Sequence, residues 1–133
     1  FVGCARAKEK GRTLGLIAAQ DGGYNRIFVP FFGKMASTPN GPAYFSRKFK
    51  APIVPAFIVR NENYYGHKVI VKDPIYYEDT GNQKIDDYNV TLKMTQTIEE
   101  IIRKYPDNWL WFQHRWNTPY TPPEEEGGNL NEK

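Results

Sequence analysis

The chain has 133 residues, of which 40% are hydrophobic, 15% aromatic and 25% charged, which is enough for one domain with its own core and outside the compositions of disordered or fibrous chains. Its net charge is +3, yet residues 119–133 hold four glutamates against one lysine, so the body carries about six net positive charges, which fits either anionic partners or a solvated basic surface. The single Cys4 excludes an internal disulfide, no Cys/His cluster has the spacing of a zinc site, and no apolar run approaches the ~20 residues of a membrane-spanning helix.

Residues 2–10 read as a helix already under way, basic toward its end and stopped by Gly11, and the sequence is therefore expected to be a fragment. TLGLIA, Thr13 to Ala18, is a short apolar run that predicts a buried strand. RIFVPFF, Arg26 to Phe32, predicts another, with Pro30 at an edge or bulge and Gly33 allowing a sharp turn. Thr38 before Pro39 reads as a helix start, and Phe45 with Phe49 gives the segment Ala43 to Lys50 an apolar face. IVPAFIVR, Ile53 to Arg60, predicts a further strand, so strand, helix and strand in this order point to a parallel α/β unit.

NENYYG reads as a hairpin turn into the alternating strand HKVIVKD. Downstream, Asp86 or Asp87 is placed to cap a long helix with Val90, Met94, Ile98, Ile101 or Ile102 on one face, stopped by Pro106. NWLWFQHRW, Asn108 to Trp116, is either a packing clasp or a membrane-interface patch, since indole joins an apolar body to a polar edge. From Pro119 the composition predicts a disordered acidic tail, which leaves residues 1–118 as the domain.

Most catalytic chemistry fails on spacing. On an extended strand His67 and Asp73 lie roughly 20 Å apart at ~3.3 Å per residue, too far to act as a pair. His114 sits among aromatics and reads as a packed or interfacial imidazole, and Cys4 has no histidine near it in sequence. No Walker loop, GxGxxG or GxSxG occurs. Aromatics beside prolines and inside apolar runs argue against an RNA-binding sheet, so no nucleic acid is expected. What remains is the span Phe28 to Phe57. There a helix N-terminus with Ser37, Thr38 and Lys34 would offer donors and a cation to a phosphate or carboxylate, and Gly33 and Gly41 would let backbone approach it; the other reading is a capped helix touching only water.

Four stretches, GRTLGLIAAQDGG, VPFFGKMASTPNGPA, APIVPAFIVR and IIRKYPDNWLWFQHRW, together resemble the C-terminal half of the bacterial lipid A biosynthesis acyltransferases, the lauroyl and myristoyl transferases of lipopolysaccharide assembly. The resemblance runs from about Lys10 to about Thr118. It implies an α/β chain, part of a glycerolipid-acyltransferase-like fold with a mixed sheet and flanking helices. It also implies transfer of a fatty acyl group from acyl carrier protein thioester to a phosphorylated glucosamine lipid at the cytoplasmic face of the bacterial inner membrane, without metal or other cofactor. The family's general base is a histidine with an acidic residue five positions later. Neither His67 nor His114 is followed so, which implies that the dyad, like the usual membrane anchor, lies on polypeptide outside these residues and that this chain alone holds no catalytic residue. Where the family commonly has Asp-Gln, this chain has Ala19-Gln20, with Asp21 as a possible substitute.

Carried onto matching positions, the resemblance implies that Phe32, Gly33, Lys34, Ser37, Thr38, Gly41 and Pro42 wall the acceptor or thioester pocket. Arg60 becomes a further phosphate contact, and Phe31 and Phe57 are candidates for an acyl groove. Arg47, Lys48 and Lys50 would face a membrane surface or the acidic carrier protein. The alternative is a non-catalytic module that binds anionic lipid or carrier protein.

Overall fold

A computed structural model of the chain describes residues 2–24 and 26–122. Among the described residues, three α-helices and two small antiparallel sheets give a mixed α/β architecture, consistent with part of an acyltransferase-like fold. Helix α1, Val2–Glu9, buries none of its residues. Strands β1, Arg26–Phe31, and β2, Lys34–Pro39, form a hairpin in which Phe31 pairs with Lys34 and Arg26 with Pro39. The two-residue connection is Phe32-Gly33, with φ of 50° and 75°. Positive φ at both central residues matches the right-handed twist of the strands, the geometry of a primed turn.

The Thr38-Pro39 pair is therefore the end of a strand, not the start of a helix. Helix α2, Gly41–Phe49, begins three residues after Thr38 with Asn40 at its cap position and Pro42 in its first turn. The expected parallel strand-helix-strand unit gives way to hairpins, because a two-residue turn can only return the chain antiparallel. The second hairpin pairs β3, Ala56–Arg60, with β4, His67–Val71. Pro55 interrupts the predicted Ile53 strand, and Ile53 rejoins the ladder as an isolated bridge to Ile75.

Helix α3, Gln83–Lys104, is the spine of the fold. Its cap is Asn82, whose side chain accepts the Ile85 N–H at 3.3 Å, in place of the expected Asp86 or Asp87. Asp86 is instead buried in the first turn, accepting from the Thr80 hydroxyl at 2.6 Å and the Thr80 N–H at 3.0 Å. Met94, Ile98 and Ile102, spaced four apart, pack against Phe31 and Ala36 to make the core. Residues 13–18, predicted as a strand, have no ladder partner among the described residues; their apolar side chains run along a groove instead. A short 3-10 turn, Pro106–Asn108, follows α3. Residues 119–122 adopt no helix or strand, and residues 123–133, most of the expected acidic tail, lie outside the described residues.

Candidate functional site

The span expected to form one site is divided by the fold. Ser37 and Thr38 are 0% exposed, so their hydroxyls face protein and do not reach an anion from solvent. Thr38 Oγ1 donates to Ala36 O at 3.2 Å and accepts from Arg115 Nη2 at 2.7 Å. Ser37 Oγ and Ser37 O both accept the Gly22 N–H at 3.2 Å, and Ser37 O also accepts from Arg115 Nη1. The donor role expected for this pair is corrected by the reason for their burial: β2 is covered on one face by the core and on the other by the loop around Gly22. A Cβ on Gly22 would lie 2.7 Å from the Thr38 carbonyl carbon, so only glycine permits that approach.

Arg115 is the centre of this clasp, and sequence reading passed over it. Its guanidinium is buried with its carbon 5.1 Å from the Phe31 ring centroid. Burial pulls its pKa below the ordinary value, opposed by the charge of Asp21. Asp21 in turn accepts from Thr118 Oγ1 at 2.6 Å, Thr118 N at 3.0 Å and Gly23 N at 3.0 Å. Burial raises its pKa, but these hydrogen bonds and the charge of Arg115 outweigh that and leave it lowered. The signal that could have found the clasp was an Asp and an Arg at the two ends of the quoted motifs.

The other expected site residues go to separate places. Gly33 and Lys34 are exposed at the β1–β2 turn and border a recess with Trp116 to Tyr120. Arg60 ends β3, 3.7 Å from Asp107. Arg47 is ion-paired to Asp87 at 3.3 Å, and Lys48 lies 5.7 Å from the Tyr44 ring centroid. Lys50 caps α2 in the left-handed conformation. Phe32 is tied to α3, its N–H donating to Glu99 Oε2 at 2.8 Å.

Of the seven residues expected to wall the pocket, Pro42 alone lines a second concavity, a groove of about 480 Å³. Its walls are the segment Leu14 to Ala19, the APIVP stretch with β3, and the apolar stripe of α3. Phe57 is part of its lining, whereas Phe31 is sealed in the core. Lys8 is the only charged side chain in the lining among the described residues. Such a lining offers no proton donor or acceptor of catalytic strength; it can desolvate and hold an apolar chain. No cluster of metal-ligating side chains occurs among the described residues, and both histidines are exposed with no acid at five-residue spacing.

The family model described as bacterial lipid A biosynthesis acyltransferase matches residues 2–118. Over 118 residues the chain is 27% identical to a lipid A biosynthesis palmitoleoyltransferase of Escherichia coli (strain K12) and to a lipid A biosynthesis acyltransferase of Shigella flexneri, covering 87% of this chain and 37% of each relative. The chain thus spans little more than a third of the length of these curated relatives.

Proposed function

Because the chain belongs to the bacterial lipid A biosynthesis acyltransferase family, we propose that it is the C-terminal part of an enzyme that moves a fatty acyl group from acyl carrier protein thioester to a phosphorylated glucosamine lipid at the inner face of the inner membrane. Its share of the work is to hold the acyl chain. The observation that carries this reading is the groove, whose size falls within the roughly 300–1,000 Å³ of small-ligand sites and whose walls are apolar almost throughout. Excluding water around the chain fixes the thioester end, so that binding energy along the tail is used to position the reacting carbonyl.

The proton-removing base comes from polypeptide outside these residues, since neither His67 nor His114 has a carboxylate to orient it. Lys34, exposed and without a carboxylate in ion-pair range among the described residues, is the cation we assign to the phosphate of the acceptor or carrier. Pro42 lines the groove and Gly41 precedes it at the start of α2, whereas Lys34 and Arg60 sit apart from the groove lining, at the β1–β2 turn and at the end of β3.

Val54 is a half-exposed groove wall and accepts a larger side chain without disturbing the core. In the whole protein, Val54→Trp is expected to cut transfer from long-chain acyl carrier protein at least tenfold while leaving a donor shorter by several carbons nearly unchanged. Equal activity with all donors would remove the groove from the acyl path. The 133 residues alone are expected to show no turnover, and acyl transfer by them would overturn the assignment of the base.

A further inference from the structure

Three turns meet at one end of the molecule. The Phe32-Gly33 turn is held against α3, with the Arg103 guanidinium carbon 4.7 Å from the Phe32 ring centroid and the Trp111 ring 6.0 Å from it. The end of the β3–β4 hairpin joins them, since the Arg60 N–H donates to Asn108 Oδ1 at 2.8 Å. Lys68 from β4 and Lys104 from α3 converge on the Tyr105 ring, 5.0 and 5.6 Å from its centroid.

From this platform a knuckle of large apolar side chains projects. Trp109 and Trp116 pack against the core, but between them Leu110 is 65% and Phe112 91% exposed, and half of Trp111 remains accessible. The eversion is built. Trp111 Nε1 donates to Pro106 O at 2.7 Å, Trp111 N to Trp109 O at 3.0 Å and Gln113 N to Leu110 O at 3.2 Å, so the bend is pinned with its apolar side outward. Scattered exposed apolar residues are ordinary, but three in succession on a hydrogen-bonded bend mark a contact surface.

We infer that this knuckle is a membrane-interface contact, in which Leu110 and Phe112 enter the boundary between headgroups and acyl chains of an anionic bilayer while Lys68 and Lys104 reach its phosphates. Charge decides for lipid over protein. Neither lysine has a carboxylate in ion-pair range among the described residues, and protein interfaces are depleted in lysine, whereas lysine beside exposed Trp and Phe is the composition that anchors at a bilayer surface. The basic residues of α2 make a poorer surface, because Arg47 is paired and no large apolar side chain of that helix is exposed beside them. The inference goes beyond the proposed reaction and is read by binding alone.

The test is co-sedimentation of the full chain with vesicles of phosphatidylethanolamine and phosphatidylglycerol, against vesicles of phosphatidylcholine only. The unsubstituted chain is expected to bind the anionic vesicles, with part of its tryptophan fluorescence quenched by lipids brominated in the upper acyl chain and that part lost in Trp111→Phe. Leu110→Ser with Phe112→Ser should lower the partition coefficient at least tenfold, and Lys68→Gln with Lys104→Gln should lower it roughly fivefold per lysine on anionic vesicles. All four side chains are on the surface, so circular dichroism is expected to be unchanged. Absence of vesicle binding by the unsubstituted chain, or equal binding by both double variants, overturns the inference. So does loss of self-association in Leu110→Ser with Phe112→Ser while vesicle binding persists, which would make the knuckle a protein contact. A failed acyl-groove test leaves these outcomes untouched.

Discussion

Thr38 and Arg115 are separated by 77 positions in sequence and by 2.7 Å in space. The consequence is a directional asymmetry between them. Thr38→Val leaves a buried guanidinium N–H without its acceptor and is expected to destabilise the fold by about 1–3 kcal/mol. In an Arg115→Met background the same change strands no guanidinium and removes only the hydroxyl bond to Ala36 O, which is lost in both backgrounds and cancels, so a double-mutant cycle read by urea denaturation should give a coupling of about 1 kcal/mol. Asp21 adds a pH dependence. Its folded pKa lies below the ordinary 3.8, so the stability it contributes is present above that value and is lost as pH falls through the folded pKa. Asp21→Asn should therefore lower the melting temperature at pH 7, and its gap from the unsubstituted chain should narrow toward pH 3. None of this was legible locally. Ser-Thr-Pro satisfies the pattern of a helix cap, and only the arrival of Arg115 from the far end of the chain makes it a buried strand.

At the scale of elements, legibility followed periodicity. The stripe Val90, Met94, Ile98 and Ile102 identifies α3, and the alternation in HKVIVKD identifies β4, because each period belongs to one geometry. TLGLIA failed for the converse reason: a short apolar run says that side chains avoid water, without saying whether a sheet or a groove receives them. The β1–β2 hairpin was hidden by its turn, since primed turns ordinarily advertise themselves with Asn-Gly, and here Phe32 holds the first left-handed position with Glu99 accepting its N–H. Two glycines separate conformational from steric demand. Gly33 has φ of 75° with open space around it, so Gly33→Ala should cost about 1–2 kcal/mol from backbone strain alone. Gly22 has no such φ but meets β2 backbone at 2.7 Å, so Gly22→Ala must move the Asp21 loop or the strand. We expect the larger loss of melting temperature at Gly22, accompanied by faster exchange of the Thr118 amide that Asp21 accepts.

On the scale of the whole molecule, the family could be read from motifs, whereas the surfaces could not, because exposure depends on which neighbours a segment meets. Ile58 pairs with Val69 and Ala56 with Val71, which places these side chains on the same face of the β3–β4 sheet, and the three larger ones are exposed. The opposite face turns Phe57 and Val59 inward. A two-stranded sheet with an apolar outer face presents dry surface to another copy of itself. Charge placed on that face should oppose association without touching the core, because Val69 loses almost no buried contact on replacement. Val69→Lys is accordingly expected to leave the melting temperature within about 3 °C, a change below ~0.5 kcal/mol for a surface site. In sedimentation velocity across a concentration series, the unsubstituted chain should shift to larger species as concentration rises and Val69→Lys should not. Identical series for the two proteins would mean that the outer face is not what brings copies together, and a large drop in melting temperature would mean that it is covered from within.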